Sequence, residues 1–187
     1  MPFGVKNAPQ VFQRKMDDIF KDYTKFICVY IDDILVFSKT QDEHFAHFYI
    51  ILALFEKHGL IISEKKMEIN KKNIKFLGVE IGQGKIKLQP HIASKILSFP
   101  DKIEDLKQLQ SFLGLVNYAR SYIKNLSKYT GPLYNKTNLT GLKYFNTEDI
   151  KQVKKIKELV NKLPELYLPL DTDYLIIECD GCDIGWG

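Results

Sequence analysis

Cysteine, tryptophan and long apolar runs are all scarce in this sequence. Only three cysteines and one tryptophan occur among 187 residues, and an odd number of cysteines argues against a disulfide framework and for a reducing compartment. No apolar run approaches the roughly 20 residues of a membrane-spanning helix. The N-terminus has no basic stretch followed by an apolar core, which a secretory signal would show. The sequence therefore predicts neither a secreted disulfide-bonded domain nor a membrane protein.

The overall composition is that of a globular protein. Apolar residues make up 45% of the chain and charged residues 27%, which excludes disorder as the main state. The 27 basic and 23 acidic side chains leave a net charge of +4. This charge is compatible with a polyanionic partner but does not demonstrate one.

Hydrophobic periodicity predicts a mixture of helices and strands. Two apolar strands, 26–31 and 34–38, are separated only by Asp32-Asp33, which is the loop length of a tight hairpin. Thr40 and Asp105 each begin a capping box and an amphipathic helix. The other expected features are a helix capped by Asn7, a short strand at 60–62, strands at 74–81 and 85–88, loops at 131–132 and 141, a helix from Thr147 to just before Pro164, and a final strand at 174–178.

Asp32 and Asp33 are an unusual choice for the tip of a hairpin. Tight turns favour Asn-Gly or Asp-Gly because those residues accept positive φ, and two adjacent carboxylates repel each other. A divalent cation would remove that repulsion, since Mg²⁺ binds carboxylate oxygens together with substrate phosphates. Paired Mg²⁺ ions also support phosphoryl transfer. An isolated acidic pair is more often a solvated turn, so the pair alone leaves both interpretations open.

The residues around this pair favour the catalytic interpretation. Tyr30-Ile31-Asp32-Asp33, between apolar strands, resembles the catalytic hairpin of reverse transcriptases. Residues 1–13, MPFGVKNAPQVFQ, resemble the segment that precedes this hairpin in the same enzymes. Three later segments are similar to a lysine-bearing loop, the primer-grip hairpin and the segment after the palm: 60–66, 73–78 and 107–120. The finer similarity is to badnavirus-type plant pararetroviruses, and it rests on residues 99–102, 131–134, 145–150, 163–164 and 173–178.

That resemblance implies an α+β fold in three parts. Residues 1–88 would be the second half of a reverse-transcriptase palm, an antiparallel sheet with packed helices. Residues 89–170 would be a helical thumb and connection, and residues 171–187 the first strand of a truncated ribonuclease H domain. The implied function is that of a fragment of an RNA-directed DNA polymerase, which adds deoxynucleotides to a primer 3′-hydroxyl by two-metal phosphoryl transfer.

The resemblance also implies cofactors, partners and a location. The metal would be Mg²⁺, with Mn²⁺ as the alternative. The partners would be RNA and DNA template-primers, deoxynucleoside triphosphates and the rest of a viral polyprotein that includes ribonuclease H, with no membrane. The protein would be found in the host-cell cytoplasm and the virion, and would not be secreted.

Individual acidic and basic residues take on roles through the same resemblance. Asp32 and Asp33 would be catalytic metal ligands of the polymerase, and Asp180 would be the first metal-binding aspartate of ribonuclease H. Lys66 would protonate the departing pyrophosphate, which an amine can do if it is positioned and tuned. Lys65 is the adjacent rival for this role.

The remaining implied sites bind nucleotide and primer. Phe3 and Gly4 would lie near the incoming nucleotide, where glycine permits close approach. Tyr30 would also belong to the nucleotide-binding site and would lie beside the end of the primer. The implied primer- and template-binding residues are Lys75, Phe76, Leu77 and Gly78.

Two departures from the family pattern affect the expected activity. The polymerases use a further aspartate on an upstream strand, and we expect this chain to start after that strand. The ribonuclease H part keeps only its first carboxylate. We therefore expect the isolated chain neither to polymerise nor to cleave at a useful rate. The alternative function is a non-catalytic, nucleic-acid-binding relic of an integrated viral element.

Overall fold

Two units make up the chain in the computed structural model, Met1–Gly82 and Gln83–Gly187. The structure describes residues 7–138, 144–170, 172–174, 176–177, 181–182 and 185–186. Each unit combines helices with antiparallel strand pairs, which confirms the predicted α+β class. Within these ranges, no helix is both long and apolar enough to cross a lipid bilayer.

The described residues of the first unit form two α-helices, two 3₁₀ helices and two hairpins. Its elements, in chain order, are α1 (Ala8–Phe20), a 3₁₀ helix (Lys21–Tyr23), β1 (Ile27–Tyr30), β2 (Asp33–Val36), α2 (Gln41–His58), a 3₁₀ helix (Glu64–Lys66), β3 (Asn73–Phe76) and β4 (Val79–Gly82). Strand β1 pairs antiparallel with β2, and β3 pairs antiparallel with β4.

Helices α1 and α2 pack with the β1–β2 hairpin around one apolar cluster. Its buried members are Met16, Ile19, Phe20, Ile27, Ile51, Leu54 and Phe55. The rings of Phe20 and Phe55 meet edge to face with their centroids 5.9 Å apart, a favourable aromatic geometry. Because both helices pack against the hairpin, the strands that lead to its tip are anchored in this apolar cluster.

Helix α2 begins and ends at the residues that the sequence indicates. The Thr40 hydroxyl accepts a hydrogen bond from the Glu43 amide, and the Glu43 carboxylate accepts one from the Thr40 amide, each at 3.2 Å. This confirms the predicted capping box. Gly59 ends the helix at φ +65°, a left-handed conformation that glycine adopts without a steric penalty.

Two predictions for the first unit are wrong. No strand forms at 60–62: Ile61 is 99% exposed, while Leu60 and Ile62 only rest against the apolar cluster. Leu60 and Ile62 are partly buried by packing on the helices and the hairpin, without pairing to a neighbouring strand. Asn7 makes no side-chain cap on α1, so the helix begins without the expected bond, although Pro9 does lie in the first turn.

The described residues of the second unit form four α-helices, one 3₁₀ helix and short strands. Its elements are β5 (Lys85–Leu88), α3 (Pro90–Ser98), α4 (Leu106–Tyr118), a 3₁₀ helix (Arg120–Tyr122), α5 (Ser127–Asn135), α6 (Thr147–Val160), β6 (Leu166–Tyr167), β7 (Gly181–Cys182) and β8 (Gly185–Trp186). Helix α3 packs on α4 and α6, and α5 packs on α6. The largest fully buried side chains of this core are Ile96, Phe112, Leu113, Val116, Leu133, Val153 and Ile156.

Helix α5 corrects the predicted loop at 131–132. Pro132 lies inside this helix, although a proline there removes one backbone donor. Leu133 is completely buried next to it, so tertiary packing outweighs the local preference. The expected loop at Gly141 lies outside the described residues.

Other helix ends in this unit agree with the prediction in part. The Asp105 carboxylate accepts a hydrogen bond from the Gln108 amide at 2.8 Å, but the Gln108 side chain accepts from Glu104 rather than from Asp105. Helix α6 begins at Thr147 as expected and ends at Val160, earlier than Pro164.

The predicted final strand is not seen in the described part of 174–178. Tyr174, Ile176 and Ile177 are exposed and belong to no strand, so no neighbouring strand holds them extended. Leu175 and Glu178 lie outside the described residues.

An exposed ion-pair group joins β5 to the segment before β6: Glu165 lies 2.6 Å from Lys85 Nζ and 2.5 Å from Lys87 Nζ. Hydrogen bonds from Lys85 and then Lys87 lower the pKa of Glu165 to about 2.

A buried ion pair links Lys136, the residue directly after α5, to α6. Lys136 Nζ lies 3.0 Å from Asp149 Oδ2, and the two side chains are only 11% and 4% exposed. The Asp149 carboxylate also accepts a hydrogen bond from the Asn146 amide at 2.7 Å, and Lys136 donates to the Tyr144 carbonyl at 2.9 Å. Each charge is therefore both paired and hydrogen-bonded, as a buried charge requires.

Candidate active site

The acidic pair lies at the tip of the β1–β2 hairpin, but the turn is shifted by one residue from the prediction. Tyr30 pairs with Asp33, so the two-residue loop is Ile31-Asp32 and Asp33 is the first residue of β2. This register places Ile27 opposite Val36, whereas a turn at Asp32-Asp33 would place Ile27 opposite a serine. Apolar pairing on the core face therefore explains the difference.

The turn has an unusual conformation at its first residue. Ile31 has φ +52°, whereas Asp32 does not have a positive φ. Positive φ followed by negative φ is the pattern of a type II′ turn, whose first position is normally glycine. A β-branched residue at this position is strained, and such strain clusters at functional sites.

Asp32 and Asp33 are both exposed. No cationic side chain in the described part of the chain forms an ion pair with either carboxylate. No ion pair among the described residues therefore offsets their repulsion, and both side chains are exposed to solvent. The described residues contain no cluster of three or more metal-ligating side chains, but Mg²⁺ is commonly held by one or two carboxylates together with waters and phosphates. The donor set fits Mg²⁺ on these grounds.

Gln13 of α1 holds the backbone of this turn. Its Oε1 accepts a hydrogen bond from the Ile31 amide at 2.5 Å. Its Nε2 donates to the Val29 carbonyl at 3.2 Å and to Asp17 Oδ1 at 2.8 Å. Sequence analysis assigned Gln13 no role, although one signal was available: it is a polar residue within the apolar stripe of α1, three residues before the buried Met16.

The far end of the hairpin is attached to α2. Ser38 Oγ lies 2.8 Å from His47 Nδ1 and 3.2 Å from His44 Nδ1. The His47 ring stacks on Phe26 with a centroid distance of 3.7 Å and an interplanar angle of 5°. The hairpin is therefore held by α1 at its tip and by α2 at its base.

Comparison with known proteins identifies the family of this hairpin. Residues 1–81 match the family "Reverse transcriptase (RNA-dependent DNA polymerase)". The whole chain is 52% identical to Polyprotein P3 of Commelina yellow mottle virus and 45% identical to the Enzymatic polyprotein of Cauliflower mosaic virus (strain Strasbourg). The chain is similar to these plant pararetrovirus polyproteins over its whole length. It spans 10% of the first relative and 28% of the second.

Solved structures show the same fold. The foamy viral protease-reverse transcriptase in complex with an RNA/DNA hybrid aligns with 90% of this chain and 23% of its own, at a TM-score of 0.75 and 29% identity. A second structure of that protein, in complex with double-stranded DNA, aligns with 89% of this chain and 30% of its own, at a TM-score of 0.76 and 30% identity. The predicted fold class and the predicted pararetroviral resemblance are confirmed.

The other polymerase residues predicted from the sequence are placed as follows. Lys65 and Lys66 are exposed in the 3₁₀ helix Glu64–Lys66, and no ion pair joins either one to Asp32 or Asp33 within the described ranges. Tyr30 is 51% exposed and directly precedes the turn. Their roles stay predictions. Three predicted site residues, Phe3, Gly4 and Asp180, lie outside the described residues.

The primer-grip residues predicted from the reverse transcriptase resemblance form the tip of the β3–β4 hairpin. Phe76 pairs with Val79, and the turn between them is Leu77-Gly78, with φ values of +46° and +85°. Two positive values identify a type I′ turn, which favours Asn-Gly. Lys75 is exposed, and Leu77 is 41% exposed at a conformation unfavourable for leucine.

Leu77→Asn is expected to stabilise the isolated chain by ~1 kcal/mol, because asparagine adopts positive φ more readily than leucine. Urea unfolding monitored by circular dichroism measures this change. Leu77→Ala is the matched control, since it removes the exposed apolar side chain but keeps the conformational penalty, so it should give no gain. Equal stability of the two variants would contradict the assignment of strain to Leu77.

Proposed function

We propose that this chain forms part of the palm of an RNA-directed DNA polymerase, which joins a deoxynucleotide to a primer 3′-hydroxyl and releases pyrophosphate. The observation that carries the proposal is the exposed Asp32-Asp33 pair at the tip of a hairpin, within the segment that matches the reverse transcriptase family. The proposed segments are the palm at 1–88, the thumb and connection at 89–170, and the start of ribonuclease H at 171–187.

Asp32 and Asp33 would hold Mg²⁺, with Mn²⁺ as the alternative. When bound, the divalent ions supply charge stabilisation to the attacking and leaving oxygens of the displacement. The contribution of the chain itself is to keep two carboxylates together at a fixed, accessible turn. Both are acceptor-only groups when ionised, and no side chain in the described part of the chain neutralises them, so they suit a hard cation.

The exposed lysines suit the leaving-group side of the reaction. Lys66 would donate a proton from its Nζ to an oxygen of the departing pyrophosphate, with Lys65 as the adjacent candidate. General-acid assistance of this kind contributes typically 10²- to 10⁴-fold. The exposure of both side chains supports access to a nucleotide but does not distinguish between them.

The proposed partners are template-primers of RNA and DNA, deoxynucleoside triphosphates and the remainder of the viral polyprotein. The foamy viral relative in complex with an RNA/DNA hybrid, and the same relative with double-stranded DNA, support the nucleic-acid partner. Ribonuclease H linkage, the role of Asp180, and location in the host cytoplasm and virion follow from the pararetroviral resemblance alone.

Primer extension tests the proposal directly. We expect Mg²⁺-dependent extension of a primer on an RNA template by the parent polymerase, and none by this chain alone, because the resemblance implies a third aspartate upstream of residue 1. Incorporation of labelled deoxynucleotide measures both. Robust extension by the isolated chain would contradict the requirement for that aspartate. An inactive parent that still binds template-primer would favour the alternative, a non-catalytic binding relic.

A further inference from the structure

We infer that Gln13 is a positioning residue of the catalytic hairpin: it holds Ile31 in its left-handed conformation and so fixes the turn that carries Asp32 and Asp33. The hydrogen bonds from Gln13 to the turn are observed in the structure and do not depend on the proposed function. Their consequence for DNA synthesis rests on the proposed function.

The need for such a contact comes from Ile31. Its φ of +52° is a conformation that glycine adopts freely and a β-branched residue does not. The other described non-glycine residues with positive φ are two asparagines, which tolerate this region, and two residues that are not β-branched: Asn70, Asn125, Leu77 and Gln83. Strained conformations persist only where the surrounding structure over-determines them, so contacts in addition to the Tyr30–Asp33 pairing are expected at Ile31.

The Gln13 amide supplies that restraint in a single orientation. Its Nε2 faces two acceptors, the Val29 carbonyl and Asp17 Oδ1, and its Oε1 faces one donor, the Ile31 amide. The reversed orientation would place an oxygen against two acceptors and an NH₂ group against an N–H. Each polar atom of the amide therefore has one possible role.

The two backbone contacts lie on either side of Tyr30. The Val29 carbonyl belongs to the peptide group before Tyr30, and the Ile31 amide belongs to the peptide group after it. Gln13 thus fixes both peptide groups of Tyr30 and the first residue of the turn. Asp32 follows Ile31 directly and Asp33 pairs with Tyr30, so this contact acts on the backbone neighbours of both carboxylates.

The structural part is tested by amide hydrogen exchange in this chain. Gln13→Leu removes both backbone contacts at similar size, so we expect exchange at the Ile31 amide to accelerate about tenfold or more. Gln10→Leu is the matched control: Gln10 is an exposed glutamine on the same helix, and its replacement should leave Ile31 unchanged. Unchanged exchange in Gln13→Leu would overturn the inference.

The catalytic part is tested by a double-mutant cycle in the intact parent polymerase. We expect Gln13→Leu to lower kcat about 10- to 100-fold with little change in the KM for template-primer. Adding Ile31→Gly should restore part of the loss, because glycine takes positive φ without help.

A merely structural role for Gln13 predicts the opposite pattern. The double variant would then be as impaired as the product of the single variants, and this result would overturn the inference. An unsubstituted parent that shows no primer extension would count against the proposed function instead, and the exchange experiment would still decide the role of Gln13.

Discussion

Asp32→Asn in the intact parent polymerase is expected to lower kcat for primer extension by about 1,000-fold, since losing several kcal/mol of charge stabilisation in the transition state corresponds to three powers of ten. The amide has nearly the shape of the carboxylate but carries no charge, so it holds Mg²⁺ poorly. Single-turnover extension at several Mg²⁺ concentrations measures the effect. High Mg²⁺ should recover little of the rate, because filling the site does not restore the negative charge of the missing carboxylate.

The same substitution has a second expected signature in stability. Asp32 and Asp33 carry like charges side by side with no cationic partner in the described part of the chain, so Asp32→Asn removes a repulsion. Thermal stability of the metal-free protein should therefore stay equal or rise while activity is lost. Asp22→Asn, at an exposed aspartate in the 3₁₀ helix of the first unit, is the control for net charge. Near-normal extension by Asp32→Asn would contradict a catalytic role.

Asp149→Ala is expected to destabilise the second unit by ~3–5 kcal/mol, because it leaves the Lys136 ammonium buried without its partner. It also removes the acceptor for the Asn146 amide at the start of α6. For a unit of roughly 100 residues, this loss corresponds to a fall in Tm of more than about 10 °C. Thermal unfolding monitored by circular dichroism at 222 nm measures it.

An exposed ion pair in the same helix provides the comparison. Lys155 and Glu158 are 2.9 Å apart with side chains 50% and 64% exposed, so Glu158→Ala should lower Tm far less than Asp149→Ala does. Replacing Lys136 by methionine together with Asp149→Ala should recover part of the stability, since no unpaired charge then stays buried. Equal losses for Asp149→Ala and Glu158→Ala would show that burial does not strengthen the Lys136–Asp149 pair.

Local chemistry made several features predictable from the sequence. The capping box at Thr40, the glycine end of α2 and the acidic hairpin depend on residues a few positions apart, so the sequence contains their full cause. The predicted strand at 60–62 was wrong because Leu60 packs on the apolar cluster without strand pairing. The predicted loop at 131–132 was wrong because burial of Leu133 outweighs the short-range preference of glycine and proline.

Long-range contacts could not be predicted in this way. Gln13 and Ile31 are 18 positions apart, and their hydrogen bond exists only once α1 packs against the hairpin. The one-residue shift of the turn has the same origin, because the core face of the strands decides the register. The acidic pair was therefore visible in the sequence, while the Gln13 contact that holds its turn was not.

Ser38, at the base of the hairpin, links the protonation of two histidine rings. The Ser38 hydroxyl has one hydrogen to donate, yet it contacts the Nδ1 atoms of both His44 and His47. At least one of these imidazoles must therefore carry its hydrogen on Nδ1. If the Nδ1 atom of one ring accepts the serine hydrogen, the Nδ1 atom of the other ring must donate one, so the tautomers of His44 and His47 are linked through Ser38.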